Sequence, residues 1–455
     1  MTNSGELPPV DDLDTVILLS ADSLRADRVH ATRNGEPLTP TLDELAAEAL
    51  EFNPGIAPGP STRDTIPSML TGKYPSQFDE YGLPASGSPT TIAEELSDRG
   101  FATAGLSQNN FTGRRYNIDR GFDYFDDVSA QARKENNSGA WRLYVRDLIE
   151  DTPLMEAASH ANNLAMEHLG KSLFHRDDGA DVITDRALDW MEETDGKRFL
   201  WVHYMDTHHP YLSPKRIQKQ YGRVFSPTKI KQLSQKTRSA QDEITDADVP
   251  DMEYVYDCSV RYVDEQIGRL FDHLRSEGEF ENSLIIVTAD HGEGFGEFGK
   301  FGHAHELWDT LVAVPLIVRH PHGPTRTVDG QAPLRLLKES IVDGSGLFEL
   351  SDGGADYVYT EVPDYREDIK GVRGPEYKLI DTGDERIATR IADGDGDSDS
   401  DGGDEEVIPV SEIPESKRER LVAELDREFE SVQVASDVER REFKKDLAAL
   451  GYLDE

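Results

Sequence analysis

Apolar residues along the first 320 positions fall into two alternating kinds of segment. Short, nearly unbroken apolar runs, TVILLSA over 15–21, FLWVHYMD over 199–206, SLIIVTA over 283–289 and LVAVPLIVRH over 311–320, predict strands covered on both faces. Between them lie stretches with apolar positions three and four apart. The longest, over 251–274, steps through Tyr256, Val260, Val263, Ile267, Leu270 and Leu274, so it predicts an amphipathic helix in which the lone Cys258 is a packing residue. Start signals agree. Thr39 and Pro40 open a helix read through Leu50, with Pro where its missing N–H costs nothing. Thr91 and Glu94 make a capping box for TIAEELSDR, closed by Gly100, and residues 182–193 form a further helix. Strands alternating with helices predict an α/β fold, a mostly parallel central sheet flanked by helices.

The pattern changes after the run at 311–320. A smaller C-terminal α+β subdomain is expected to begin between 335 and 356, dividing the chain into 1–340 and 341–455. Its strands are DYVYTEV and GVRGPEYKLI, and its helices lie near 414–431 and 437–449. An acidic, Gly-rich stretch at about 393–406 cannot bury a core and reads as a disordered loop. Asp397–Gly402 matches the first half of a calcium loop, but Ile408 stands where a bidentate Glu belongs. Residues 213–250, basic and then acidic, read either as an insertion over the site or as a plain surface loop.

Charge narrows the function classes. The 455 residues carry a formal net charge of -41, which repels nucleic acid and anionic membranes and strains a compact fold at low ionic strength. In molar salt the Debye length falls to about 3 Å, so the composition suggests the salt-filled cytoplasm of an extreme halophile. The first twelve residues lack a basic region followed by an apolar one, and no apolar run approaches the roughly 18 residues of a membrane span. A soluble, cytoplasmic protein is expected. One cysteine permits no internal disulfide.

Two of the apolar runs end on candidate ligands: TVILLSA on Asp22, SLIIVTA on Asp290 and His291. A buried strand that stops on a carboxylate delivers it to the carboxyl edge of a parallel sheet, where α/β enzymes assemble their chemistry. Two such deliveries and an imidazole make half a divalent metal site.

Longer motifs extend this. VILLSADSLRADR, TPTLDELAAEALEF, SMLTGKYP, HYMDTHHPY, VTADHGEGFGEFGKFGHAHELWDTLVAVPLIV and the terminal LAALGYLDE occur in this order, and together they resemble the landmarks of the sulfatase family of the alkaline-phosphatase superfamily over nearly the whole chain. The resemblance implies a sulfatase-like, metal-dependent hydrolase of sulfate or phosphate esters, with one divalent ion (Mn, Zn, Mg or Ca) and a small anionic ester as partner, possibly on a glycan. It implies Asp22, Thr62, Asp290 and His291 as metal ligands. Thr62, nine residues before Thr71, falls at the nucleophile position. The family's sulfatases have Cys or Ser there in a CxPxR pattern and oxidise it to formylglycine. Here Thr62, with Asp64 and Ile66 in place of that Pro and Arg, makes such maturation unexpected and favours phosphoryl chemistry, since a hydroxyl beside a divalent ion loses its proton more easily. Ser61 and Thr65 are fallback nucleophiles. Ser23 replaces a second Asp that many relatives carry, which weakens calcium.

The resemblance also implies that His208 contacts the ester oxygens, that His303 protonates the leaving group, and that Asn109 and His305 bind substrate. His209, at a variable position, is expected to face solvent, and GEGFGEFG from Gly292 reads as a mobile loop and not as a dinucleotide fingerprint. Two other classes fit the same residues: a transferase that moves a phosphoryl-linked group to a glycan or lipid acceptor, and a non-catalytic binding protein of the same fold.

Overall fold

The computed structural model describes residues 10–78, 82–127, 179–303, 305–363, 369–391 and 405–429. Its central sheet is built from β1 (Thr15–Ala21), β2 (Leu50–Ile56), β3 (Ala102–Ser107), β4 (Tyr124–Asp127), β5 (Arg198–Tyr204), β6 (Ser283–Ala289), β7 (Ala313–Arg319) and β8 (Arg326–Val328). They lie side by side in the order β8-β2-β7-β6-β1-β5-β3-β4, and a ninth, two-residue strand, Ala332–Pro333, also pairs with β2. Every residue of β1, β5 and β6 is buried, as unbroken apolar runs require at the centre of a sheet covered on both faces. β7 runs antiparallel to both of its neighbours, while the other pairings are parallel. The α/β architecture with a mostly parallel sheet is therefore as the apolar pattern predicts.

Register decides where the chemistry goes. Ser20 of β1 lies opposite His203 of β5 and Thr288 of β6, and Ala21 opposite Tyr204 and Ala289. The next residues, Asp22 and Asp290, therefore leave adjacent strands at the same level.

The helices relevant to the site are α1 (Pro40–Ala46), α2 (Thr62–Thr71), α3 (Ile92–Asp98), α4 (Ala180–Glu193), α5 (Lys215–Gln220), α6 (Pro227–Ser239) and α7 (Val249–Glu277). In α3 the capping box is complete: Thr91 Oγ1 accepts from Glu94 N at 3.1 Å and Glu94 Oε2 from Thr91 N at 2.9 Å. Cys258 is fully buried in α7, which Gly278 ends in the left-handed region. α1 stops at Ala46, short of the expected Leu50, because Leu50 and Phe52 pair with Val318 and Leu316 as strand β2; a period-two pair was read as the end of a helical stripe. β5 likewise ends at Tyr204, two residues before the expected Asp206. Residues 213–250 are no plain surface loop, since α5 and α6 bury Ile217, Ile230 and Leu233.

Beyond the sheet, Leu337, Ile341, Leu347 and Phe348 still pack into the large core. A five-stranded antiparallel sheet follows: β9 (Val358–Val362), β10 (Ile369–Arg373), β11 (Tyr377–Asp381), β12 (Arg386–Ile391) and β13 (Glu405–Ile408). Helix Glu415–Leu425 closes a separate cluster with Tyr359, Val372, Leu379 and Ile408. Glu405 and Glu406, expected in a disordered loop, belong to β13, where Glu405 is buried against Lys378. The rest of that loop, including Asp397–Gly402, the helix at 437–449 and LAALGYLDE lie outside the described residues.

Candidate active site

Asp22 and Asp290 are completely buried at the ends of β1 and β6. His291 Nδ1 donates to the Gly292 carbonyl at 2.8 Å, so its other nitrogen faces the carboxylates: Nε2 lies 3.5 Å from Asp22 Oδ1 and 3.7 Å from Asp290 Oδ2. Thr62 opens α2 with its Oγ1 3.2 Å from Asp22 Oδ2 and 3.5 Å from His291 Nε2. The four residues expected as ligands converge, at the partly positive end of a ten-residue helix.

The neighbouring hydroxyls are occupied elsewhere. Ser61 Oγ donates to Asp64 Oδ2 at 2.5 Å and Thr65 Oγ1 to the Gly59 carbonyl at 3.0 Å. Asn109 Oδ1 accepts from Phe111 N at 2.8 Å, which turns its amide nitrogen inward to donate to Asp22 Oδ2 at 2.6 Å and Thr62 Oγ1 at 3.0 Å.

His203 joins this centre although sequence reasoning left it out. Its Nδ1 is 2.9 Å from Ser20 Oγ, and its Nε2 lies 3.6 Å from Asp22 Oδ2 and 3.8 Å from Asp290 Oδ2. The signal was present, since a buried strand with a histidine one residue from its end puts an imidazole at the sheet edge. Burial raises the Asp290 carboxyl and the neighbouring Asp22 charge raises it further. Asp22 feels the same burial, but His208, His203 and His291 outweigh it and hold its carboxyl well below the ordinary range.

A divalent cation fits these residues. Donor atoms of Asp22, His203 and Asp290 all lie within 4.8 Å of one another. Among the described residues, Asp290 Oδ2 and His203 Nε2 are buried with no hydrogen-bond partner, an arrangement that costs several kcal/mol or so in the absence of a compensating charge. Asp22, Asp290, His291, Thr62 and His203 would hold the ion.

A second group adjoins the first. His208 and His303 rings have centroids 4.9 Å apart, and His303 lies 4.3 Å from the His291 ring. His209 is not solvent-facing: its side chain is 9% exposed and stacks on His208 at 4.1 Å. Glu293, also missed, is fully buried, with Oε1 3.0 Å from His303 Nδ1 and Oε2 accepting from the Tyr211 hydroxyl at 2.8 Å. An acid two residues beyond a candidate ligand histidine was its only signal. Burial lowers His208, reinforced by the neighbouring imidazoles, and lowers His209 against the opposing pull of Glu293; His303 meets the same burial, but Glu293 raises it. GEGFGEFG, expected as a loop, takes part in a short hairpin: Gly294–Phe295 pairs with Phe301–Gly302, between Glu293 and His303. His305 is part-exposed, in the left-handed region (φ 58°), two residues beyond His303.

The family model described as Sulfatase matches residues 14–334, and the chain belongs to the sulfatase family. It is 24% identical over 319 residues to the uncharacterized sulfatase YidJ of Escherichia coli K12, an alignment spanning 65% of this chain and 61% of that protein. It is 22% identical over 356 residues to the multifunctional alkaline phosphatase superfamily protein PehA of Trinickia caryophylli, covering 67% and 68%. Among solved structures, the phosphonate monoester hydrolase of Silicibacter pomeroyi superposes with a TM-score of 0.63 at 18% identity, over 96% of this chain and 95% of that one. A structure containing its substrate D-glucosamine-2-N,6-O-disulfate gives 0.65 at 17% identity, over 91% and 97%. These likenesses establish the fold. Among the described residues, no helix is long and apolar enough to cross a membrane.

Proposed function

We propose that this chain hydrolyses a small anionic ester of a phosphorus or sulfur oxyacid, with phosphoryl esters preferred, and that Thr62 is the nucleophile. The observation that carries this reading is the placement of one hydroxyl among three: Thr62 Oγ1 faces Asp22 and His291, whereas Ser61 and Thr65 bond to Asp64 and Gly59. Relatives bearing the names of a sulfatase and of a phosphonate monoester hydrolase support both ester classes, and the disulfated glucosamine bound to one neighbour makes a glycan a reasonable carrier of the ester.

The residues divide the work. A bound divalent cation supplies positive charge that favours the ionised hydroxyl and offsets charge on the ester. Asp22 accepts the Thr62 hydrogen bond and Asn109 donates to the same oxygen, fixing its direction before attack. The first turn of α2 places backbone dipoles behind the site where the anion sits. His208 borders the ester oxygens, and His303, held by Glu293, places positive charge near the leaving oxygen. Ester cleavage by a threonine needs no formylglycine.

Thr62→Ala tests this directly. The variant should keep its circular dichroism spectrum and its metal, because two carboxylates and two imidazoles remain, yet lose roughly 10³-fold or more in turnover of aryl phosphate mono- and diesters. Wild-type protein that prefers aryl sulfate to every phosphate ester tried, with Thr62→Ala equally active, overturns the assignment.

A further inference from the structure

The cations of this chain are unevenly spread. Between Asp206 and Asp242 stand five lysines and three arginines with no acidic residue, in a sequence where 89 acidic residues face 48 basic ones. This segment forms α5 and α6, and in α6 the basic side chains fall into two stripes. Lys229 and Lys236 share one face, and Asp248 receives both, at 3.2 Å and 2.7 Å. Lys231 and Arg238 have the same spacing but sit two residues on, roughly 200° around the helix and about 10 Å apart along it, where both are exposed. This second stripe ends at the site. The charge of Arg238 is felt at His209, whose imidazole is lowered by burial, His303 and Arg238 alike. Gln241, just beyond Arg238, donates from Nε2 to the Phe301 carbonyl at 3.0 Å. A cavity of about 230 Å³ opens there, with Gln241, Lys300, His303, Glu306 and Trp308 in its wall. It exceeds the roughly 150 Å³ that holds a benzene ring, so it takes one ring. Its carboxylates are already matched, Glu306 by Lys300 at 2.7 Å and Glu297 by Arg25 at 2.5 Å.

We propose that the stripe of Lys231 and Arg238 selects an ester whose leaving group carries negative charge of its own. The inference rests on the ester reading, because His303 marks the side on which the alcohol departs. A ring departing past His303 fills the cavity, and groups projecting from it past Gln241 meet the exposed end of α6. Arg238 and Lys231 add positive charge at this mouth, whereas the molecule as a whole is strongly negative. An anion is therefore drawn to this stripe and repelled beyond it, which favours a compact leaving group with one or two carboxylate, sulfate or phosphate groups over a long polyanion whose ends run onto acidic surface. The guanidinium suits such groups, since it donates two parallel hydrogen bonds to a carboxylate or phosphate. Exposed pairs are weak, so the stripe contributes selectivity more than affinity.

The test compares two substrates of nearly the same size, a phenyl phosphate bearing two meta carboxylates and its dimethyl ester, in which both charges are masked. Steady-state kinetics of the full-length protein are read in molar potassium chloride and at the lowest salt that preserves the circular dichroism spectrum. Wild type should show a KM for the dicarboxylate about fivefold below that for the dimethyl ester, the size an exposed ion pair allows, and the ratio should grow as salt is lowered. Arg238→Gln should bring the two KM values together, Lys231→Gln should do so in part, and Arg238→Glu should reverse their order. Lys229→Gln, on the opposite stripe, should keep the wild-type ratio. A general loss of structure alters both substrates alike, so the ratio separates selectivity from folding. Calorimetric titration of Thr62→Ala protein with the same two compounds reads binding without turnover. Equal KM values at every salt overturn the proposal and leave the ester reading standing, and so does a preference that survives both Arg238→Gln and Lys231→Gln. If neither compound is hydrolysed, yet the dicarboxylate binds more tightly and Arg238→Gln abolishes the difference, the stripe stands and the ester reading falls. Neither hydrolysis nor binding of either compound overturns both.

Discussion

Gly292 separates His291 from Glu293, and nothing larger fits between them: a Cβ there would stand 2.0 Å from the Thr310 carbonyl oxygen. The absent side chain lets the Gly292 N–H reach the Leu311 carbonyl at 2.8 Å, which holds both neighbours in place. His30 shows a different residue-scale dependence, away from the site. Its ring bonds Glu51 Oε1 at 2.7 Å and Asp43 Oδ1 at 2.9 Å, and these carboxylates, Glu51 foremost, raise it to about 8. Both bonds need both ring protons. The folded value exceeds the unfolded 6.5, so the contribution is fully present below about pH 6.5 and disappears as pH rises through about 8. The half-exposed ring keeps it small. Urea unfolding of wild type and His30→Asn should therefore differ at pH 6 and nearly coincide at pH 9; an equal gap at both pH values would rule the linkage out.

At the scale of elements, a buried ionic group joins the antiparallel sheet to the segment that follows His303. Lys378 on β11 is inaccessible, with Nζ 2.7 Å from Asp309 Oδ1 and 3.3 Å from Glu405 Oε1. Arg373 Nε on β10 lies 2.8 Å from Asp309 Oδ2, and Glu405 Oε2 on β13 accepts from Asp309 N at 2.5 Å. Burial would raise Asp309, but Arg373 and Lys378 bring it down to about 2. Two cations against two anions are balanced, and deleting one is not. Lys378→Met should cost about 3–5 kcal/mol in urea unfolding, with part regained in Lys378→Met/Glu405→Gln. A loss under about 1 kcal/mol would show that the group contributes little. Asp309 opens the short helix Asp309–Val312, whose Leu311 carbonyl receives Gly292, so loosening these strands should also slacken the metal motif.

At the scale of the whole molecule the net charge of -41 dominates. Many acids are paired at the surface, as in Arg216–Glu265 and Arg223–Asp251, yet 48 basic residues cannot neutralise 89 acidic ones. Self-repulsion reaches across the fold when the Debye length is about 30 Å, near 0.01 M salt, and is confined to neighbouring groups at about 3 Å in molar salt. We infer a salt-rich working solvent. The melting temperature should fall steeply between 3 M and 0.01 M potassium chloride; an unchanged value would refute this.

Local order was legible because its causes are local. The unbroken apolar runs of β1 and β6 are in the sequence, and so are the carboxylates on which they end. The Thr91–Glu94 box and the stripe of α7 follow from spacings of three and four residues. A stripe cannot say where a helix yields to a strand that pairs far away, and α1 was read four residues too long for that reason. Whether Ser61, Thr62 or Thr65 faces the carboxylates depends on the pitch at which α2 leaves its loop. His203 reaches Asp22 and Asp290 only through the register Ser20 opposite His203, and Glu293 reaches His303 only through the hairpin between them. Sequence therefore determined which side chains each strand delivers to the edge of the sheet. Tertiary structure alone decided which of them meet, because strand register and helix docking are set by the packing of segments hundreds of residues apart.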